Sequence, residues 1–325
     1  MNVAHFLLAC TAAGLMGFAN QRGETCAVSA IRELVDYQRA NKIAALLEAS
    51  VWSGAGFVIL NVVGMITTTP LDYARGLHTV IGGVLFGAGA VVNGACIFGT
   101  VARIGSGEWS YLSMPVGFYF GALVAVLLPV PRALGQESVL FSGENWKVAL
   151  ALGFVFVRIF IHKLEIVKRN RSTLEHVWSP HVATTIIAIS FLVVFAVAGN
   201  WNYTDILADF AHSTKSGFGG GLKLGWRLPL CGALFAGALI GGATAGRLRS
   251  SVPAFGLVIR RLTGGVIMGV GASLIPGGNT GLILVGVPLL FPYAWVGLIS
   301  IFITVYALLR ISGRTAHSKV RTQSL

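Results

Sequence analysis

The sequence predicts an all-α polytopic membrane protein of about nine transmembrane helices, some of them broken or re-entrant, arranged as two inverted repeats. Three observations carry this expectation. The 325 residues are 55% hydrophobic and 11% charged, with a mean hydropathy of +0.77, more apolar surface than one water-soluble globule hides. Apolar runs of roughly 17 to 25 residues, the length a spanning helix needs, recur along the whole chain. A glycine-rich segment that begins at Gly82 returns at Gly264.

Taken in order, the apolar runs lie near residues 3–19, 43–65, 77–98, 113–131, 147–163, 182–198, 228–246, 263–284 and 291–309. Several are short or interrupted by glycine, which suits half-helices. The opening "MNVAHFLLACTAAGLMGFAN" has no Lys or Arg in the position of an n-region, and only nine residues precede Cys10. It therefore reads as the first helix of the protein rather than as a secretion or lipoprotein signal. The chain is expected to be a single integral membrane domain over residues 1–325, with repeat one at about 1–145, repeat two at about 146–310 and a basic tail at 311–325.

The formal charge of +12 is concentrated in four clusters: Arg22, Arg32, Arg39 and Lys42; Lys163, Lys168, Arg169 and Arg171; Arg247, Arg249, Arg260 and Arg261; Arg310, Arg314, Lys319 and Arg321. Walking through nine spans places all four on one side, the pattern of a cytoplasmic face. The N-terminus is then periplasmic and the C-terminus cytoplasmic. The opposite loops carry Asp72, Glu137, Glu144, Asp205 and Asp209. Bases at loop ends, with Trp residues mostly at span ends, fit the lipid bilayer as partner and exclude nucleic acid.

Four cysteines without a CxxC or Cys/His spacing make neither a disulfide framework nor a zinc site. They read as free thiols, and no cofactor or metal is expected. The seven histidines are scattered, with no pair on one helix face.

The repeat locates the candidate site. "GGVLFGAGAVVNGACIFG" from Gly82 and "GGVIMGVGASLIPGGNTG" from Gly264 match at Gly82/Gly264, Gly83/Gly265, Val84/Val266, Gly87/Gly269, Gly89/Gly271 and Ala90/Ala272. The two copies cross the membrane in opposite senses, the arrangement of many transporter folds. Gly83–Gly87 and Gly265–Gly269 are GxxxG steps, which bring helices close where lipid offers no hydrophobic drive for packing. A phosphate-cradling loop is excluded, because the Rossmann spacing and the Walker Lys are both missing. Packing leaves the end of each copy unexplained, where glycine meets a polar side chain: "NGAC" in one, "PGGN" in the other. Pro276, Gly277 and Gly278 are expected to break a helix at membrane depth, where freed backbone groups persist only against protein or a water-lined cavity. Two broken helices meeting near the midplane make a substrate site, and their N–H groups favour an anion.

These residues resemble a known family. "QRGETCAVSAIREL" from Gln21, the segment from Gly82 and the segment from Gly264, in that order across nearly the whole chain, look like the YeeE/YedE family of bacterial inner-membrane proteins, the sulfur-transport domain. The resemblance implies uptake of thiosulfate, a small inorganic anion, through an hourglass-shaped helical protein in which cysteines at the narrow points pass the ion along by S–H hydrogen bonds. By motif, Cys26 and Cys96 match family cysteines. In the second copy this chain has Asn279 where thiosulfate-type members have a cysteine, at a spacing one residue longer. A neutral thiol suits a dianion with one soft sulfur, because it holds the ion weakly enough for conduction.

Each remaining candidate has two readings. Asn93 either joins the substrate site or bridges helices. Arg22 and Arg103 flank the cysteine segments and either receive the anion on the exit side or contact headgroups. Cys10 and Cys231 lie mid-span and pack as small hydrophobes, and Glu48 is expected to snorkel to the inner surface. An intramembrane sulfur enzyme would need a base or resolving partner, and none is visible in the spans. The other alternative is a membrane anchor that delivers sulfur or selenium species to a cytosolic sulfurtransferase or sulfur-carrier protein, docked through "HKLEIVKRNRSTLEHVWSPH".

Overall fold

A computed structural model describes residues 2–66, 69–127, 132–142, 144–169, 178–215, 225–250 and 252–323. Arg171, residues 170–177 of the basic stretch read as a docking segment, and Leu325 lie outside the described residues. So do the side chains of Lys163, Lys168, Arg169, Arg314, Lys319 and Arg321.

All nine apolar runs contain helix, and the described residues form no β-strand beyond one isolated bridge between Tyr73 and Ala133. The first half holds α1 (Val3–Gly23), α2 (Ala27–Tyr37), α3 (Asn41–Val62), α4 (Leu77–Asn93), α5 (Ile97–Gly105) and α6 (Ser113–Ala125). After α7 (Asn145–Arg169) come α8 (Pro180–Ala198), α9 (Tyr203–Lys215), α10 (Arg227–Thr244), α11 (Phe255–Leu274), the short α12 (Gly278–Gly281) and α13 (Pro292–Gln323). Seven stretches of the described residues are long and apolar enough to cross a membrane. The two runs outside that set are α6 and α7. With 13 residues, α6 rises about 20 Å, short of a hydrocarbon core of about 30 Å, and of α7 the side chains are described only as far as residue 161.

Local sequence sets the ends. The Asn2 side chain accepts the Ala4 N–H at the start of α1, and Ser179 accepts the Val182 N–H ahead of Pro180 in α8, both ordinary N-terminal devices. Where the backbone is irregular inside the protein, short polar side chains satisfy it: Ser50 Oγ donates to the Ile283 carbonyl and Ser138 Oγ to the Leu289 carbonyl, each at 2.7 Å. Buried carbonyls need a protein donor of this kind when no backbone partner reaches them.

Glycine then decides the packing. α4 and α11 run antiparallel, and the residues matched between the two segments are the ones that touch. A Cβ on Gly82 would lie 2.9 Å from the Gly271 carbonyl oxygen, and one on Gly89 would lie 2.8 Å from that of Gly264. Each contact is the other's counterpart under the sequence match. The second glycine set behaves alike, with Gly83 and Gly87 against α13 and Gly265 and Gly269 against α6. Other pairs also come in twos: α1 packs on α10 as α3 does on α8, and α6 on α9 as α13 does on α2.

Glu48 departs from its expected snorkelling. On α3 it ion-pairs with Arg158 of α7 and lies 2.5 Å from His181 Nδ1 of α8, while Trp52 Nε1 donates to it at 3.3 Å. A carboxylate with these partners available gains more from them than from reaching the surface, and the network fastens α7 to the bundle.

Candidate anion site

Both helix breaks are present. α4 ends at Asn93 because Gly94 enters the left-handed region (φ 81°) and closes its N–H onto the Ala90 carbonyl at 2.8 Å. Glycine is the residue that takes this conformation without a Cβ penalty. Cys96 is then extended and caps α5. Cys26, also extended, takes the N-cap position of α2 without a side-chain cap bond, after α1 closes at its C-cap Glu24.

The two caps cross. The Cys96 N–H donates to Cys26 Sγ at 3.4 Å, and the Ala27 N–H donates to Cys96 Sγ at 3.3 Å, with a further contact from the Gly99 N–H at 3.5 Å. Each sulfur thus sits at the first turn of the opposite helix, where unsatisfied N–H groups and the helix dipole favour negative charge. Both thiols are buried. Cys10 and Cys231 are half-buried and pack against the core.

Gly99 makes this crossing possible. A Cβ there would stand 2.5 Å from Cys26 Sγ, so the thiol occupies the space glycine leaves. Asn93 bridges the break: its Nδ2 donates to the Ala95 carbonyl at 2.7 Å and to Thr100 Oγ1 at 3.1 Å, while its Oδ1, also buried, has no hydrogen-bond partner.

The second break follows Leu274. Ile275 is extended, Gly277 and Gly278 take φ of 89° and 53°, and a four-residue turn runs into a π-helical turn at Leu282–Gly286. Asn279 lies in that turn with 2% of its surface exposed, its Oδ1 unpartnered. Its neighbour Gly278 faces the first break, since a Cβ there would be 3.1 Å from Ile97 Cδ1. The start of α9 ties the two together, with Asn202 Nδ2 donating to the Gly277 carbonyl at 3.2 Å and the Tyr203 hydroxyl to the Ile97 carbonyl at 3.1 Å. Neither Asn202 nor Tyr203 was visible as a site residue in the sequence, because the "WNY" that carries them belongs to neither copy of the glycine segment. Gly99 lies inside a quoted motif, and its position one helical turn after a cysteine is the signal that marks it.

Two cavities approach this junction. A wide one of about 520 Å³ is lined by Pro276, Gly277, Gly278 and Thr280 together with Asp205 and Tyr293. A narrow one of about 100 Å³ is lined by Cys26, Ala95, Gly99 and Arg103. Cys96 and Ile97 line neither: Ile97 touches Gly278 of the wide cavity's wall, and Cys96 bonds to Cys26 of the narrow one's.

Of the two candidate exit-side cations, Arg103 lines the narrow cavity and pairs with Glu108 at 2.7 Å. Arg22 is buried instead, its guanidinium over the Phe18 ring and donating to Thr244 Oγ1 at 2.9 Å. Around the same end, Arg247 pairs with Glu24, Arg260 donates to the Val92 carbonyl, and Arg261 donates to the Asn93 carbonyl and lies over Tyr111.

The structure thus brings two thiols and the N–H groups of two helix starts together beside two cavities, and comparison with known proteins bears on the chain as a whole. The family described as sulphur transport matches residues 22–307. The chain is 25% identical to the thiosulfate transporter TsuA of Escherichia coli (strain K12), over 90% of both chains. It is 26% identical to the thiosulfate transporter TsuA of Spirochaeta thermophila, over 89% of this chain and 92% of that one. With residues 22–307, most of its length, matched by that family, the chain belongs to the sulphur transport family.

Proposed function

We propose that this multi-pass membrane protein takes up thiosulfate or a related sulfur-containing anion across the bacterial inner membrane. The crossed thiols of Cys26 and Cys96, set beside two cavities, are the observation that carries the reading. An anion arriving from the wide cavity meets the backbone of the second break, with Asn279 buried beside that lining and within reach once the break yields. It then exchanges these contacts for the thiols and the N–H groups of α2 and α5, and leaves by the narrow cavity past Arg103. Each contact is weak, and conduction requires contacts that release as readily as they bind.

The basic residues around the narrow cavity support placing that end in the cytoplasm. α6 and α7 are consecutive, so counting both or neither as spans leaves every later helix on the same side, and the N-terminus stays periplasmic. Residues 1–145 and 146–310 act in this reading as inverted copies. The doubled contacts of α1–α6 and α8–α13 support it, with α7 as an addition fastened by Arg158.

Uptake of radiolabelled thiosulfate into proteoliposomes holding only this chain tests the proposal. Saturable uptake is expected, competed more by anions with a terminal sulfur than by sulfate, sulfite or selenium oxyanions. Uptake that appears only when a cytosolic sulfurtransferase is added would favour an anchor that hands sulfur to that partner.

A further inference from the structure

The wide cavity has a charge that does not match its proposed cargo. Its described lining includes Asp205, Asp209 and His212 and no Lys or Arg. Asp209 is exposed and paired with Arg227 of α10 at 2.5 Å, whereas Asp205 is half-buried in the wall. Two aromatic hydroxyls share that wall, Tyr73 of the loop before α4 and Tyr293 at the start of α13, whose rings are 5.2 Å apart. The buried Asp72 precedes Tyr73 and its carboxylate accepts the Tyr73 N–H. Glu137 lies further out, where it accepts from Thr69 at 2.9 Å. Two polar atoms in lining residues, Trp201 Nε1 and Thr280 Oγ1, are buried without a hydrogen-bond partner. Both can donate, and donors left unsatisfied at a cavity wall suit an anion.

A dianion entering this space beside an ionised Asp205 is repelled, and a half-buried carboxylate is screened less than one in bulk water. Resting on the transport reading above, we propose that Asp205 takes up one proton as the anion binds in the wide cavity, so that anion and proton enter the protein together. The proton goes to a carboxylate oxygen, and the complex carries one negative charge fewer than an anion beside an ionised carboxylate. α9, which carries Asp205, is not among the candidate spans of the described residues. Burial, with Asp209 adding to it and Arg227 opposing, raises the Asp205 carboxyl to about 7. The sign follows. Below that value Asp205 is already neutral and binding takes up little; above it the group is ionised and binding draws a proton from solution. An outward-facing site of this kind links uptake to a proton gradient directed inward.

The test is titration calorimetry of thiosulfate into the full-length protein in detergent, at pH 6 and pH 8, in buffers of different ionisation enthalpy. The wild type should take up close to one proton per anion at pH 8 and few at pH 6, with affinity falling up to about tenfold per pH unit above pH 7. Asp205→Asn should bind with no proton uptake and with an affinity that is flat with pH and higher than wild type at pH 8. A merely structural role would not produce that gain. Asp209→Asn and His212→Gln should keep the linkage. Wild-type binding without proton uptake, an Asp205→Asn protein that keeps it, or loss of the linkage in His212→Gln instead would overturn the assignment and leave the transport reading standing. A wild type that binds no thiosulfate at either pH overturns both.

Discussion

The two helix breaks arise from matched segments and end differently. After Gly94 the chain returns at once to a nine-residue helix capped by Cys96, and a second helix, α2, meets it so that two thiols and three N–H groups converge. After Pro276 the chain makes only one short turn and a π-helical turn, with one amide, that of Asn279, held inside. The first break therefore presents soft sulfur against helix N-termini, and the second presents a hard amide and bare backbone. Thiosulfate has both kinds of end. The asymmetry suggests a division of labour, and each substitution below either breaks it or sharpens it.

The largest effect is expected at the first break. Cys26→Ala or Cys96→Ala should remove uptake while protein levels in the membrane stay near normal, whereas Cys10→Ala and Cys231→Ala should be mild. Gly99→Ala extends the test without touching a thiol. Its Cβ would lie 2.5 Å from Cys26 Sγ, and overpacking of this kind costs about 1 to 3 kcal/mol or displaces the neighbour. Uptake should fall with Cys26 intact. Equal, small effects at all four cysteines would return the thiols to packing and end the comparison.

The second break is tested at Asn279. An amide N–H is a stronger donor than S–H and prefers oxygen acceptors, so Asn279 is assigned to the oxyanion end. Losing one donor to a charged group costs about 1.5 to 3 kcal/mol, roughly ten- to hundredfold in affinity. Asn279→Ala should weaken uptake by that much. Asn279→Cys should keep part of it and shift preference toward thiosulfate over all-oxygen anions. If Asn279 only supports the turn after Gly278, both substitutions will lower the melting temperature in detergent and leave the competition profile unchanged.

How far the sequence reveals these features depends on their range. The breaks themselves were legible, because Gly94, Pro276, Gly277 and Gly278 act on their own backbone within a few residues. So was the meeting of α4 and α11, since matched glycines mark close approach. The crossing of Cys26 with Cys96 was not legible: family resemblance marked each as a candidate, but 70 residues separate the two thiols and no local rule joins them. Asn202 and Tyr203, which tie the breaks together from α9, were not legible. Their partners are the carbonyls of Gly277 and Ile97, and a bare carbonyl leaves no mark on the residue type that carries it. Glu48 was misread for a related reason: its partners Arg158 and His181 lie on other helices, and a carboxylate judged from its own helix shows no alternative to the surface.

The smallest effect is expected at the mouth of the narrow cavity, and it separates binding from steering. Arg103 is 54% exposed and spends its guanidinium on Glu108 at 2.7 Å. Exposed pairs of this kind contribute about 0.2 to 1 kcal/mol, so Arg103→Gln should leave the melting temperature nearly unchanged. If Arg103 draws the anion away from the thiols by its field alone, uptake should fall by about two- to fivefold at low ionic strength. That difference should fade at about 1 M salt, where the screening length drops to about 3 Å. A direct ligand of the anion behaves otherwise, with a loss as large as that at Asn279 and little dependence on salt. Contact with lipid headgroups gives a third pattern, in which the loss appears only in proteoliposomes containing anionic lipid. Measuring Arg103→Gln across salt and lipid composition therefore says whether the selectivity of this conduit ends at the thiols, as the comparison of the two breaks requires, or continues to the cytoplasmic rim.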